Sequence, residues 1–233
     1  MRLETLKVRI VFTEPVLGTT PGNPELMRGF TEKRAPLEAS VKEEHKLADE
    51  MFDPEEETQK LSTLFPRDDT GVFMWDYQIR GSIKETLGLL IEAGDITSPT
   101  KWTYKKAVDS YVFVKPRRIY LKDAAGEIIK KATEDLQRPL RADTPRGERI
   151  CLARSEMLPV GTFIEFKVEA FCGTNSKSKW ATITREKVIS CLDFGQYKGL
   201  GQWRSGGYGR FEWQDMDVPA APVLDEDLIE AVV

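Results

Sequence analysis

The stretch from Leu192 to Trp213, LDFGQYKGLGQWRSGGYGRFEW, holds the residue types that could do chemistry. It contains six of the seventeen glycines, which leave the backbone free to adopt positive φ and to approach another chain closely. Successive N–H groups in such a loop can bind an anion, while cations and aromatic rings pair with phosphates and stack on bases. The alternative is a tight turn between core strands with the rings packed inward. The predicted contact residues are Lys198, Gly199, Gly201, Trp203, Arg204, Gly206, Gly207, Tyr208, Gly209 and Arg210.

Three further segments concentrate cations. Bases alternate with aromatic residues over 101–121, a pattern found in single-strand binders and also on plain sheet surfaces. Residues 138–154 carry five arginines against two acids and predict a basic loop or exposed hairpin that could clamp phosphates. Two cations stand four residues apart at the start of a predicted helix. The candidate contacts in these segments are Arg80, Lys84, Lys105, Lys106, Arg117, Arg118, Arg138, Arg141, Arg146 and Arg149.

The charge is unevenly distributed. The whole chain of 233 residues has a net charge of −4. Residues 38–57 carry nine acids and two bases, and residues 212–233 carry seven acids and no base. Such like-charged segments are often solvated extensions, so the remaining body is basic although the whole protein is acidic.

Composition also restricts location and chemistry. No apolar run is long enough to span a membrane, and the N-terminal residues alternate where a signal peptide would be continuously apolar. The three cysteines are odd in number and widely spaced, which favours reduced thiols and offers no CxxC metal pair. We therefore expect a cytoplasmic protein with no membrane, metal or cofactor, either bacterial or from a phage in the host cytoplasm.

The periodicity predicts alternating strands and helices. Apolar residues at every second position predict strands over 4–14 and 162–170. A helical stripe begins at Ile79 and runs to Ile91, after a short strand over 72–75. Strands are predicted at 111–114, 118–121 and 210–213, and a second helix after Thr184 as the N-cap. Residues 25–62 are predicted to be an acidic helical insertion, and 215–233 a flexible acidic tail.

This order of elements predicts an α+β protein. With the insertion removed, strand, helix, strands, then strand, helix, glycine loop and strand suggest a ferredoxin-like (RRM-like) antiparallel sheet with helices on one face. A helical acidic insertion and a basic hairpin or loop extend from it.

Three motifs carry a resemblance to a known family. The segment MWDYQIRGSIKETL (74–87), the strand EMLPVGTFIEFKV (156–168) and the loop GLGQWRSGGYGRFEW (199–213) are similar, in order and spacing, to the motifs of the RAMP superfamily, RNA-binding proteins of CRISPR systems. The resemblance implies a single domain over 1–214 and an RNA-contacting glycine loop. It also implies contacts from Arg80, Ser82 and Lys84 at the start of the helix. The insertion has no counterpart, and Gln78 stands where the family often has serine or glycine.

Catalysis is not supported by the resemblance. Family members that process guide RNA usually employ a histidine, and the one histidine here, His45, lies in the insertion outside every matched motif. The first hypothesis is a non-catalytic protein that binds single-stranded nucleic acid, with RNA expected, and that assembles along the strand as a homo-oligomer or as a subunit of a ribonucleoprotein. A metal-independent endoribonuclease and a structural module of a phage or mobile-element assembly remain as alternatives.

Overall fold

The computed structural model describes residues 2–22, 62–96, 103–144, 147–172 and 183–218. Its centre is a four-stranded antiparallel sheet, whose strands in order across the sheet are β11 (Phe211–Asp215), β1 (Arg2–Phe12), β10 (Phe163–Cys172) and β6 (Val112–Lys115). Along the chain, these strands and the two helices that pack on them follow the order strand, helix, strand, strand, helix, strand. When the four strands are numbered along the chain, their order across the sheet is fourth, first, third, second. This is the predicted ferredoxin-like topology. The two helices are α1 (Asp76–Ala93) and α3 (Arg185–Lys198).

The alternation in β1 sets which face of the sheet is buried. Leu6, Val8, Ile10 and Phe12 are each at most 2% exposed, whereas the residues between them point to the other face and are partly exposed. Strand β10 alternates in the same way. Because side chains alternate across a strand, the buried sets of both strands share one face and pack against α1 and α3. The opposite face of the sheet carries charged residues together with exposed apolar ones.

Helix α1 is capped by Gln78 at its start and by Gly94 at its end. The side-chain oxygen of Gln78 accepts a hydrogen bond from the Trp75 amide (2.9 Å), and Gln78 Nε2 donates to Thr19 Oγ1 (2.6 Å). The helix ends at Gly94, whose φ of 89° is readily adopted only by glycine. Its stripe of Ile79, Ile83 and Leu87 is buried in the core.

Helix α3 confirms the predicted N-cap. Thr184 Oγ1 accepts from the Lys187 amide at 3.4 Å, and Val188, Cys191 and Leu192 lie in the core. The helix ends at Gly199, where the glycine-rich stretch leaves the helical layer.

A second sheet was not predicted from the sequence. Its strands in order are β2 (Val16–Leu17), β9 (Gly147–Leu158), β4 (Ser62–Leu64) and β3 (Thr20–Pro21), and β8 (Glu134–Thr144) pairs with β9 in a hairpin. The hairpin is the basic segment expected as a loop or hairpin, and it pairs in regular register from Glu134↔Met157 to Thr144↔Gly147. Ser62, which the sequence placed at the end of the insertion, belongs to this sheet.

A helix precedes β6 where the sequence analysis described only alternating bases and aromatic residues. Helix α2 (Thr103–Tyr111) includes Tyr111, the expected first residue of a strand. The positions Tyr104, Ala107, Val108 and Tyr111 follow helical spacing, and Ala107 and Val108 are fully buried. The short strands β5 (Phe73–Trp75) and β7 (Arg118–Tyr120) pair antiparallel beside the main sheet.

Most of the predicted insertion and tail lies outside the described residues. The predicted insertion, residues 25–62, lies outside the described residues apart from Ser62. The predicted tail, residues 215–233, lies outside them from residue 219 onward. Both therefore stay predictions. The first residues of the expected tail, 215–218, are described, and Asp215 is the last residue of β11.

Candidate nucleic-acid interface

The glycine-rich loop, residues 199–210, is closed by hydrogen bonds at its base. The Leu200 amide donates to the Gly209 carbonyl oxygen, and the Gly209 amide donates to Pro15, both at 2.8 Å. Positive φ occurs at Gly199, Gly201, Gly207 and Gly209. The loop therefore leaves α3, turns, and returns to β11 beside the residues that follow β1.

Several glycines of the loop are needed for contacts within the protein. A Cβ at Gly209 would overlap the Leu200 carbonyl oxygen, and one at Gly201 would lie 2.8 Å from the Leu17 carbonyl oxygen. Gly207, in contrast, has no heavy atom within 4 Å of where its Cβ would stand, so it is required only by its φ of 92°. The alternative of a tightly packed turn thus accounts for part of the glycine pattern.

An arginine and two aromatic rings join the basic hairpin to this loop. The rings of Trp203 and Tyr208 stack with centroids 5.1 Å apart and planes 20° from parallel. The guanidinium carbon of Arg138, on β8, lies 4.0 Å from the centroid of the Trp203 ring. The structure thus brings three predicted contact residues from two distant segments into one stacked cluster.

A run of backbone amides in the loop has no partner in the part of the chain that the structure describes. The N–H groups of residues 201–205 make no hydrogen bond there, whereas those of Gly206 and Gly207 donate to Trp203 and Arg204 carbonyl oxygens at 2.9 and 3.0 Å. Trp203 has the left-handed conformation (φ 52°, ψ 41°) and precedes a 3₁₀ turn, Arg204–Gly206. Successive N–H groups around a left-handed residue are a backbone arrangement that can hold an anion.

Arg204 is directed away from this run of amides, toward α1. Its guanidinium donates to both carboxylate oxygens of Glu85, at 2.8 and 3.2 Å, and Lys198 Nζ lies 3.5 Å from the same carboxylate. Burial raises the pKa of Glu85, but the hydrogen bonds and charges of Arg204 and Lys198 outweigh it, so the pKa lies below its ordinary value. Two predicted phosphate contacts are thus held by one carboxylate.

Of the two predicted cations of α1, one forms an ion pair among the described residues and the other does not. Lys84 forms an ion pair with Asp109 of α2. Arg80 is half-buried and forms no ion pair within the described ranges, although its charge acts on Asp76 at the start of the helix. The backbone carbonyl oxygen of Ser82 accepts a hydrogen bond from the Thr86 hydroxyl at 2.9 Å.

Helix α2 carries Lys105 and Lys106 on an exposed surface. Lys105 Nζ lies 5.9 Å from the centroid of the Tyr104 ring. Both Lys105 and Lys84 line an open groove of about 370 Å³ between α1 and α2, which Glu85 and Glu92 also line. Because cations and acids both line it, the groove has no strong preference for an anion.

Arg117 and Arg118 lie against a buried aromatic pair. The Arg117 guanidinium is 4.8 Å from the Trp75 ring centroid, and that of Arg118 is 5.4 Å from the Phe73 ring. Arg118 also donates to Asp68 at 2.6 Å, and Arg117 to Asp76 at 3.3 Å. Both arginines therefore stabilise the packing of β7 on β5, and a role in binding is not needed to account for them.

Four predicted contact residues remain, one at the end of the glycine-rich loop and three in the basic hairpin segment. Arg210 is exposed and makes no side-chain ion pair within the described residues. Arg141 and Arg149 lie on the two strands of the hairpin near its tip, and Arg146 lies outside the described residues.

Sequence reasoning missed the residues that anchor the loop. Thr63 Oγ1 lies 2.6 Å from Gln202 Oε1, and Ser155 Oγ lies 3.3 Å from the same oxygen. These contacts tie the loop to β4 and β9 of the second sheet. No local motif marks the residues concerned, because the partners are far apart in the chain.

The arrangement suits binding. Among the described residues no group of three or more His, Cys, Asp or Glu side chains is placed to hold a metal ion. Burial raises the pKa of the Cys191 thiol to about 12 and that of Cys172 to about 11, so both stay protonated at neutral pH. What the site offers is backbone donors, cations and aromatic rings.

Comparison with known proteins gives distant structural likenesses alone. No family model matches the chain, and no curated protein matches it. Among solved structures, a chain of a Type IV-B CRISPR complex is similar with 11% sequence identity and a TM-score of 0.46, over 98% of this chain and 97% of that one. No helix among the described residues is long and apolar enough to cross a membrane.

Proposed function

We propose that this chain is a non-catalytic, RAMP-like protein that binds single-stranded RNA through the glycine-rich loop and the basic hairpin, and that copies assemble side by side along the strand. The stacked cluster of Arg138, Trp203 and Tyr208 carries the proposal, since it places a cation and two rings of separate segments at one point. Stacking on aromatic rings is how single-stranded bases are bound without sequence readout.

The backbone beside this cluster supports a phosphate contact. Trp203 contributes both its ring to the cluster and its N–H to the run of amides at residues 201–205. Arg210 lies at the far end of the loop with an exposed side chain. A nucleotide needs a stacking surface and a donor set for its phosphate within a few ångströms of each other, and the loop supplies both.

The sharpest experiment compares paired substitutions with a matched control. Trp203→Ala combined with Arg210→Ala should weaken binding of a labelled single-stranded RNA by roughly 5- to 150-fold, the range expected for loss of one stacked base. The combined variant should also lower the salt dependence of binding, because one phosphate contact is removed. Arg2→Ala removes a cation at the opposite end of β1 and should leave affinity unchanged. Equal affinity of the double variant and the wild type would contradict the proposal.

Purified material gives an independent test. The ratio of absorbance at 260 and 280 nm after gentle purification reports bound nucleic acid, and digestion with RNase or DNase identifies it. RNase-sensitive material whose protected length grows in steps of constant size would support assembly along RNA. DNase-sensitive material would support the same binding site with DNA, in place of RNA, as its ligand.

A second candidate is an interaction module of a larger assembly that binds no nucleic acid. The observation that favours it is the internal pairing of predicted contacts, since Lys84, Arg117, Arg118 and Arg204 all meet carboxylates of the same chain. Protein free of nucleic acid that forms a stable oligomer and ignores single-stranded RNA and DNA would establish this function instead.

A further inference from the structure

The face of the main sheet opposite the helices carries a row of three lysines. In the register of the sheet, Lys7 of β1 stands opposite Lys167 of β10, which in turn stands opposite Lys115 of β6. Side chains directly opposite on neighbouring antiparallel strands have Cβ atoms about 5 Å apart, and like charges in these positions repel. Three lysines therefore occupy neighbouring positions across three strands of the sheet.

The outer two lysines are compensated and the central one is not. Lys7 Nζ lies 2.6 Å from Asp217, and Lys115 Nζ lies 2.7 Å from Glu169. Lys167 is exposed, and it forms no ion pair within the described residues. The central position thus presents a cation, held between two others, to an anion from outside.

Two exposed phenylalanines lie next to this row on the same face. Phe113 and Phe171 are 38% and 37% exposed, and their rings meet edge to face with centroids 5.9 Å apart. Phe113 is two residues from Lys115 along β6, a distance of about 7 Å, and Phe171 is four residues from Lys167 along β10, about 13 Å. Leu3, opposite Phe171, is 49% exposed and extends the apolar surface.

We propose that this open sheet face is a second contact surface for single-stranded nucleic acid, with a phosphate at Lys167 and bases on Phe113 and Phe171. Charge complementarity selects the ligand, because an uncompensated cation beside exposed rings fits a strand that alternates phosphates with stackable bases. The inference rests on the proposed function for the class of ligand, but it uses none of the loop residues. The two surfaces lie on different sides of the molecule, since Arg204 ties the loop to α1 in the helical layer.

The two acidic residues that flank Lys167 along β10 are engaged by other cations. Glu165 is engaged by Arg9 and by Lys122 Nζ at 2.8 Å, and hydrogen bonds from Lys122 and Arg9 hold its pKa below the ordinary range although burial opposes them. Glu169 is paired with Lys115. Their charges are thus compensated within the sheet, whereas that of Lys167 is not.

The test uses the full chain and a fluorescein-labelled 20-nucleotide oligouridylate containing 4-thiouridine. Lys167→Glu, and separately Phe113→Ala with Phe171→Ala, should each weaken binding by about fivefold or more. Light-induced crosslinks should map to peptides of β6 and β10. Phe194→Ala is the matched control, because Phe194 is 39% exposed but lies on α3, and Lys131→Glu controls for the change of charge. Thermal unfolding of every variant should match the wild type.

Each result decides between the two surfaces. If the loop variants lose binding while the sheet variants bind as the wild type and no crosslink reaches β6 or β10, the inference is overturned and the proposed function stands. If the sheet variants lose binding and the loop variants do not, the inference stands and the loop assignment fails. If the wild type binds no oligonucleotide, both fail. Loss of self-association in Lys167→Glu on size-exclusion chromatography, without any effect on RNA, would assign the face to a protein and overturn the inference.

Discussion

Arg204 of the glycine-rich loop and Glu85 of α1 are joined by two hydrogen bonds, at 2.8 and 3.2 Å, from one guanidinium to both oxygens of one carboxylate. Lys198 approaches the same carboxylate at 3.5 Å. A carboxylate that accepts from a planar guanidinium in this way occupies the position that a phosphate would take. Glu85 therefore competes with any phosphate for Arg204 and Lys198.

Removing the charge of Glu85 should strengthen nucleic-acid binding. In Glu85→Gln, Arg204 and Lys198 become available to phosphates, so affinity should rise and the slope of log K against log salt should steepen by about 0.7 per added contact with a single strand. Stability should fall by only about 0.2–1 kcal/mol, because the pair is partly exposed. Fluorescence anisotropy at several salt concentrations measures the slope.

Glu92→Gln is the matched control for this charge change. Glu92 lies two turns further along α1 and lines the same groove. It should change affinity much less than Glu85→Gln does. Equal gains in the two variants would mean that net charge alone controls binding, and weaker binding in Glu85→Gln would mean that Glu85 positions Arg204 productively.

The stacked cluster predicts that Arg138 cannot be replaced by lysine. Lysine keeps the charge but loses the planar group that lies 4.0 Å over Trp203. We expect Arg138→Lys to weaken RNA binding nearly as much as Arg138→Ala and to increase hydrogen exchange in residues 199–210. If Arg138→Lys binds as the wild type, the charge of the hairpin matters and its stacking does not.

The main sheet could be predicted because its strands and helices are long enough to show a period. Strand β1 alternates from Leu6 to Phe12, and α1 repeats its apolar residues at helical spacing. The second sheet could not be predicted, because strands β2 and β3 have two residues each and are too short to show alternation. Helix α2 has a helical stripe, but its two tyrosines and the adjacent Lys105 and Lys106 also fit the pattern of bases and aromatic residues found in single-strand binders.

The residue types of the candidate site could be predicted from the sequence, but the contacts between these residues could not. The glycine loop and the basic hairpin were found from residue types alone, but the contact between Arg138 and Trp203 depends on the fold. The same holds for Arg204 and Glu85, which are 119 residues apart. Charge patterns along a sequence show where cations are concentrated, and they do not show which carboxylates the fold brings to them.

Two glycines of the loop should respond very differently to alanine. Gly209→Ala places a Cβ against the Leu200 carbonyl oxygen and also requires a φ of 70°, so we expect a loss of several kcal/mol, since strained conformations alone cost about 1–3 kcal/mol. Gly207→Ala has the same kind of strain (φ 92°) but open space around the Cβ, and should lose about 1 kcal/mol. Urea unfolding of both variants measures the difference. Similar losses would show that the loop relaxes around Gly209.

Asp68 gives the fold a defined dependence on pH. Its carboxylate accepts hydrogen bonds from Arg118 (2.6 Å), Tyr120 (2.8 Å) and the amides of Thr70 and Gly71 (2.9 and 3.2 Å). Burial raises the pKa of Asp68, but these hydrogen bonds outweigh it and leave the pKa below the ordinary value of 3.8. Because the pKa is lower in the folded state, the carboxylate stabilises the fold above pH 3.8, and this stabilisation is lost as the pH falls through the folded-state pKa.

Asp68→Asn should therefore destabilise the protein at neutral pH by about 1–3 kcal/mol, because charged acceptors are lost and an amide cannot satisfy the same donors. The difference between variant and wild type should shrink on acidification, once the wild-type carboxylate is protonated. Asp69→Asn is the control, since Asp69 is the exposed neighbour in the same turn and should change stability little at any pH. Urea unfolding at a series of pH values measures the free energies. A difference between Asp68→Asn and the wild type that stays constant down to the lowest pH would show that the hydrogen bonds stabilise the turn without depending on the ionisation of Asp68.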